Sequence, residues 1–244
     1  MDNTMYVSLS RQVVLQHELD IVANNIANAD TAGFKLEDMM TRADQAAPAK
    51  TAGITAPVTF VMDDGVARDF RQGGLTQTGA PLDLAIDGRG FFKVSTAAGE
   101  RYTRDGRFKL DDTGKLVTQE GDAVQGGGSD IVLDAAKGAV SISEGGVISQ
   151  AGQKVGQVDV VTFDSLASLS KDGKNLFRND TNIQPQPATS AKVRQGMLEN
   201  SNVQTLTQIT RLVEINRAYE SITNIMTQTS DLSRRSIQRL GAVN

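Results

Sequence analysis

Residues 195–226 read QGMLENSNVQTLTQITRLVEINRAYESITNIM, and the stretch that they open continues to Leu240 with neither glycine nor proline after Gly196. Apolar residues recur in it at intervals of three and four, which places them on one stripe of a helix. The stripe consists of Leu206, Ile209, Leu212, Ile215, Tyr219, Ile222 and Met226. The pattern predicts a C-terminal helix over residues 198–240, about 65 Å long. An apolar stripe of that length needs a partner to cover it.

Residues 3–29 offer a partner within the chain. Their apolar side chains form a second stripe, which drifts slowly around a predicted N-terminal helix. That helix should end near Asn28, because asparagines compete for backbone hydrogen bonds and Gly33 supplies a left-handed stop. We predict that the two helices pair as a coiled coil through one apolar row on each. The rows are Leu15, Leu19, Val22 and Ile26 on the first helix and Leu206, Ile209, Val213 and Tyr219 on the second.

The N-terminal helix is too short to cover its partner. The predicted lengths, about 27 and 43 residues, leave about 24 Å of the longer helix unpaired. Some of the apolar side chains towards its end must then stay exposed or bind another molecule; the candidates are Ile222, Ile225, Met226, Leu232, Ile237 and Leu240. A head-to-tail contact that does not close on itself builds a helical filament. The residues alone therefore predict a self-associating coiled-coil protein.

The centre of the chain has the pattern of an antiparallel β-domain. Short apolar runs alternate there with turn sequences such as DGRG at 87–90 and DDTG at 111–114. The predicted fold class is α+β, with paired terminal helices and a central all-β domain that is a sandwich or an irregular barrel. The predicted segments are an N-terminal helix (1–35), an extended linker with one strand near 58–64 (36–75), the β-domain (76–180), a return linker (181–197) and the C-terminal helix (198–244).

Composition narrows the classes of function. The 244 residues include 25 basic and 29 acidic ones without a basic cluster, so we expect no nucleic-acid partner. There is no Cys and a single His, His17, which argues against a catalytic triad and against a metal site. The β-domain aspartates that could form a catalytic pair, with the exception of Asp83, stand in glycine-containing turn sequences, where Asp accepts local backbone hydrogen bonds; they are Asp83, Asp87, Asp105, Asp111, Asp112 and Asp122. We predict no enzymatic activity, no cofactor, no metal and no small-molecule substrate.

Three blocks of the sequence resemble one known family. ANNIANADTAGFK at 23–35 is similar to the N-terminal signature of the bacterial flagellar axial proteins, the rod, hook and hook-associated subunits. GAPLDLAIDGRGFFKV at 79–94 and RYTRDGRFKLDDTGKLVTQEGDAVQG at 101–126 resemble the β-domain of rod proteins. QGMLENSNV at 195–203 and RAYE at 217–220 resemble the C-terminal signature. The motif positions that match at the N-terminus are Asn24, Asn25, Ala27, Asn28, Gly33, Phe34 and Lys35.

The resemblance implies a structural subunit of the flagellar basal-body rod. YVSLSRQ at 6–12 and RQGGLTQTGAPLD at 71–83 are most similar to proximal rod subunits, while distal rod and hook-type subunits share the same blocks. The resemblance also implies assembly with other rod subunits and with copies of this chain. It further implies export through the flagellar type III apparatus and a place in the periplasm-spanning rod. The opening MDNTMYVSLSRQ lacks the features of a cleaved secretory signal, which agrees with that route.

Two other classes of function remain open at this point. A glycan hydrolase acting on the cell wall would need two carboxylates across a cleft of the β-domain, one of them with a raised pKa. A β-barrel ligand-binding module on a dimeric coiled coil would form a closed dimer rather than an open-ended assembly.

Overall fold

A computed structural model describes residues 2–49, 58–181 and 183–241. These residues fall into two compact units. Unit 1 comprises Met1–Ala27, Glu37–Asp69 and Val203–Asn244, and unit 2 comprises Asn28–Leu36 and Phe70–Asn202. Of the predicted linkers, residues 50–57 and Asn182 lie outside the described residues.

Unit 1 contains two long helices and a β-hairpin. Helix α1 spans Asp2–Ala27, strand β1 Glu37–Ala49, strand β2 Val58–Arg68 and helix α2 Thr205–Gly241. The strands pair antiparallel with two register shifts, one between Met39 and Thr41 and one between Asp44 and Ala49. The sequence predicted only the second strand, because β1 (EDMMTRADQAAPA) lacks the apolar alternation by which a half-buried strand is recognised.

Helix α1 packs in two directions. Leu15 and Val22 are buried against α2, whereas Val14 and Ile21 are buried with Met39 of β1. Residues 14 and 15, like 21 and 22, lie about 100° apart around a helix, so each neighbouring pair faces two different elements. This double packing explains why the apolar stripe of the sequence drifts around α1.

Unit 2 is an antiparallel β structure with seventeen strands among its described residues. They are β3 (Leu75–Gln77), β4 (Leu84–Asp87), β5 (Phe91–Thr96), β6 (Gly99–Thr103), β7 (Lys109–Leu110), β8 (Leu116–Val117), β9 (Ala123–Gly126), β10 (Ser129–Asp130), β11 (Val140–Ile142), β12 (Val147–Gln150), β13 (Gln153–Gln157), β14 (Val160–Thr162), β15 (Leu169–Lys171), β16 (Leu176–Asn179), β17 (Gln186–Pro187), β18 (Lys192–Gln195) and β19 (Met197–Glu199). The largest sheet contains the order β15-β16-β6-β5-β9-β8-β7. The predicted α+β class with antiparallel strands is confirmed.

Strand β5 separates the two apolar clusters of unit 2. Successive side chains of a strand point to opposite faces. Phe91 accordingly joins an aromatic cluster, 5.7 Å from the ring of Phe177, and Phe92 joins the larger aliphatic cluster, 5.1 Å from the ring of Phe108. All four rings meet edge-on, the geometry that aromatic quadrupoles favour. Seven of the 11 aromatic residues of the chain lie in these two clusters.

The C-terminal helix begins later than predicted. Leu198 and Glu199, which the predicted helix included, belong to β19, and this strand pairs antiparallel with β3. Asparagine and serine at 200–202 favour local backbone hydrogen bonds over helix. The Gln208 amide bonds to the Gln204 carbonyl at 3.1 Å, in the first turn of α2. Residues 198–204 are thus not helical, which corrects the predicted boundary.

Gly106 provides a test of this fold. A Cβ atom at this position would lie 1.6 Å from the carbonyl oxygen of Leu84. The amide of Leu84 donates a hydrogen bond to the Gly106 carbonyl at 3.0 Å, so the two backbone segments are in direct contact. We expect Gly106→Ala to lower the unfolding free energy by about 3 kcal/mol or more, measured by urea denaturation. Gly145→Ala is the control, since its Cβ would meet only the Ser143 hydroxyl at 4.0 Å. Equal midpoints for the two variants would contradict the close approach.

Candidate assembly surfaces

The motif residues matched at 23–35 fall into both units. Asn24, Asn25 and Ala27 are in the last turns of α1; Asn25 is buried and the other two are exposed. The carbonyl oxygen of Asn28 accepts the Thr31 amide at 3.1 Å. Phe34 is buried, with the Lys171 ammonium 4.5 Å from its ring centroid.

Gly33 has a backbone conformation that only glycine adopts without strain here. Its φ is +69°, and a Cβ atom would lie 2.4 Å from the carbonyl carbon of Arg104. Its amide donates to the Glu199 carbonyl at 2.7 Å. The AGFK end of the motif therefore lies directly against Arg104 and β19 within unit 2.

A buried carboxylate joins distant parts of unit 2. Glu199 has no exposed side-chain surface, and it accepts hydrogen bonds from the Lys35 ammonium, from Arg104 Nη1 at 2.9 Å and from the Gly73 amide at 3.0 Å. Lys35 also donates to the Arg71 carbonyl at 2.8 Å. Burial lowers the pKa of Arg104, and the charge of Glu199 opposes that effect. We call Lys35, Arg104 and Glu199 the charge cluster.

The seam between α1 and α2 brings together part of the predicted rows. Leu15, Val22 and Ile215 are buried in it, and the partly buried residues packed around them are Leu19, Ile26, Leu212, Ala218, Tyr219 and Ile222. Three polar contacts cross the seam at successive levels, and they show that the helices run antiparallel. They are Gln12 to the Tyr219 hydroxyl (2.9 Å), Arg211 to Glu18 (2.9 Å) and Asn25 to Gln208 (3.4 Å).

Three residues predicted to meet α1 lie elsewhere. Leu206, Ile209 and Val213 are 79%, 46% and 41% exposed, so their predicted contact with α1 is wrong. The seam uses Leu212 and Ile215 instead, which lie on a stripe about 130° away around the helix. Both stripes show spacings of three and four, so the sequence pattern did not distinguish them and the prediction treated them as one stripe. Met226 is only partly exposed and lies outside the seam cluster.

Unit 1 carries exposed apolar surface on both helices. On α1, Tyr6, Leu9 and Val13 are between 47% and 62% exposed. A shallow groove of about 370 Å³ is lined by Leu9, Gln12, Val13, Gln16, His17, Asp20 and Tyr219. On α2 the exposed apolar side chains are Leu206, Ile209, Val213, Ile225 and Leu232. Apolar surface on this scale marks a site of interaction.

The ion pairs of unit 1 hold the hairpin and the helices together. Arg211 of α2 bonds Glu18 of α1 and Asp38 of β1, each at 2.9 Å. Burial alone would lower the pKa of Arg211, but these two carboxylates raise it overall. His17, predicted to lie on the surface, is half-exposed and its Nδ1 lies 2.7 Å from Asp63 of β2.

Asp105 and Asp111 take part in turns, as the sequence predicted, whereas Asp87 ends strand β4 and pairs with Arg194 at 3.1 Å. Asp111 Oδ1 accepts hydrogen bonds from the Thr113 hydroxyl and from the amides of Thr113 and Lys115, and these bonds lower its pKa. Asp105 accepts the Arg107 amide at 3.1 Å. Within the described ranges there is no group of three acidic or histidine side chains placed to hold a metal ion. No helix in the described part of the chain is long and apolar enough to cross a membrane.

Helices with uncovered apolar stripes, combined with a β unit whose buried charges serve its own folding, define a structural assembly protein. Three family models match the chain. They are the flagella basal body rod protein at residues 5–35, the flagellar hook protein FlgE/F/G D1 domain at 85–150 and the flagellar basal body rod FlgEFG protein C-terminal at 194–239. The chain is thus related to flagellar hook and rod proteins along most of its length.

Full-length relatives sharpen this assignment. The chain is 55% identical to the flagellar basal-body rod protein FlgF of Caulobacter vibrioides over 100% of both chains. It is 34% identical to FlgF of Mesorhizobium japonicum over 99% of both, and 34% identical to FlgG of Bacillus subtilis over 94% of this chain and 96% of the relative. The chain belongs to the flagellar basal-body rod protein family. The predicted similarity to proximal rod proteins of the FlgF type is confirmed.

The charge cluster gives a prediction for unit 2. Glu199→Gln leaves Lys35 and Arg104 buried without their anion, so we expect a loss of about 3–5 kcal/mol in unfolding free energy. The measurement is urea denaturation followed by the fluorescence of the tyrosines. Glu144→Gln is the matched control, because Glu144 pairs with Lys192 and Arg194 in solvent and its loss should not move the midpoint. Indistinguishable midpoints for both variants would show that the cluster does not support the fold.

Proposed function

We propose that this chain is a structural subunit of the proximal part of the flagellar basal-body rod and catalyses no reaction. The observation that carries the proposal is the apolar surface that the helices leave uncovered within one chain, on Leu206, Ile209 and Val213 above all. Such surface becomes buried only when another molecule covers it. The family of the chain says which assembly would provide that molecule.

The terminal helices act as a coiled coil in this proposal. Seam residues recur at intervals of four, three and four on α1 (15, 19, 22, 26) and of three, four and three on α2 (212, 215, 219, 222), as heptads require. Helix α2 has 37 residues and α1 has 26, so about 16 Å of α2 has no counterpart in α1. This unpaired length of α2 is shorter than the roughly 24 Å expected from the sequence. The unpaired part of α2 is available to neighbouring subunits.

The interface role predicted for the row residues is divided accordingly. Leu15, Leu19, Val22, Ile26, Tyr219 and Ile222 hold the helix pair of one subunit. Leu206, Ile209, Val213 and Met226 face copies of this chain and other rod subunits. The β-domain, as a sandwich or irregular barrel, makes the outer lateral contacts. Export through the flagellar type III apparatus without a cleaved signal, and final assembly in the periplasm-spanning rod of the basal body, complete the proposal.

The exposed stripe of α2 provides the test. We expect Leu206→Asp and Ile209→Asp to fold as the parent does, because both side chains are exposed. In an assembled interface an aspartate becomes buried without a partner at a cost of several kcal/mol. Incorporation into isolated basal bodies, quantified by immunoblot, should therefore fall roughly 100-fold, with loss of motility.

Thr207→Asp is the control for charge. It places the same carboxylate one residue away from Leu206, off the exposed stripe. Normal incorporation is expected for this variant. Normal incorporation of both stripe variants, or equal loss in the control, would count against the proposed interface.

A further inference from the structure

One buried polar side chain stands at the junction of α1, β1 and α2. Asn25 is 1% exposed. Its Oδ1 accepts the Glu37 amide at 3.0 Å and its Nδ2 donates to the Glu37 carbonyl at 2.7 Å, so it pairs with both backbone groups of the first residue of β1. Its Nδ2 also lies 3.4 Å from Oε1 of Gln208, which is itself 5% exposed. A buried amide without such partners is costly.

The apolar residues of the seam do not by themselves define one alignment of the helices. A shift of seven residues along α1 carries Leu15 to Val22 and Leu19 to Ile26. The same shift along α2 carries Leu212 to Tyr219 and Ile215 to Ile222. Each move places a largely apolar side chain where another one was, although Tyr219 is larger than Leu212. Helix pairs that slide by one heptad would therefore still place apolar side chains at most positions of the seam.

The polar residues do not tolerate the same shift. Seven residues beyond Gln208 is Ile215, which cannot accept a hydrogen bond from Asn25. Seven residues beyond Arg211 is Ala218, which would leave Glu18 and Asp38 without their cation. A one-heptad slip thus loses buried hydrogen bonds without gaining apolar contact.

We propose that Asn25 and Gln208 are positioning residues that set the axial register of α1 against α2. A single buried polar residue in a coiled-coil seam has this effect when its partner is lost in every other alignment. The register also decides which apolar side chains of α1 and α2 lie side by side on the exposed surface of unit 1. Its importance for rod assembly rests on the proposed function, whereas the register itself is a property of one chain.

The register can be measured in the monomer. The chain contains no Cys, so Ala23→Cys and Ser221→Cys, both at exposed positions of the two helices, accept spin labels without other changes. Pulsed electron paramagnetic resonance should show one distance in this labelled parent. In Asn25→Leu/Gln208→Leu we expect a second distance population shifted by about 10 Å, the length of one heptad.

Two further variants separate register from stability. Gln208→Leu alone keeps both bonds of Asn25 to Glu37 and should still show the second population, so it decides the question if the double variant does not fold. Ile215→Val weakens the seam but leaves the polar contacts, and it should keep one distance. A single unchanged distance in Gln208→Leu, or two distances in the parent or in Ile215→Val, would overturn the proposal. None of these outcomes depends on whether the protein enters the rod.

Discussion

Unit 2 depends on the carboxylate of Glu199. Its two cations are buried with it, and in a low-dielectric interior each of the three charges needs the others. Lys35 and Glu199 are 164 residues apart in the chain, so their contact helps to offset the entropic cost of closing a long loop. Once it forms, the AGFK segment lies against Arg104, and Gly33 is required because no Cβ fits there. The β-domain is therefore complete only with residues from before the hairpin and from just before α2.

The same motif serves both units through its two ends. Asn25 pairs with the backbone at the start of β1 in unit 1, and Lys35 neutralises a carboxylate in unit 2. Both are polar side chains in buried positions, where an unpaired group is far more costly than at the surface. Asparagine and lysine at these two positions are thus explained by buried hydrogen bonds and charge, without reference to any partner molecule.

The spacing of apolar residues predicted the two helices and the strands of the β-domain, since burial of one face of a helix or strand makes apolar residues recur at a regular interval. It failed where two faces of one helix carry the same spacing: Leu206, Ile209 and Val213 form one stripe of α2, and Leu212 and Ile215 belong to another. It missed β1, where Met39 is the one buried apolar residue among the side chains described, those of residues 37–42. It could not show the charge cluster, because the pairing of distant charges leaves no local pattern. The only signal was that Lys35, Arg104 and Glu199 all lie inside the matched family blocks.

The uncovered stripe of α2 and the polar contacts of the seam answer different needs of an assembling subunit. Exposed apolar side chains supply a driving force that is non-directional and proportional to the area buried. Such a force alone would accept many arrangements of neighbouring helices, much as the seam heptads accept more than one register. Directional groups such as Asn25, Gln208 and Arg211 lose their partners in every arrangement but one. Under the proposed function, polar pairs inside the subunit therefore determine how its apolar surface is presented, and apolar burial between subunits stabilises a structure whose geometry is already set.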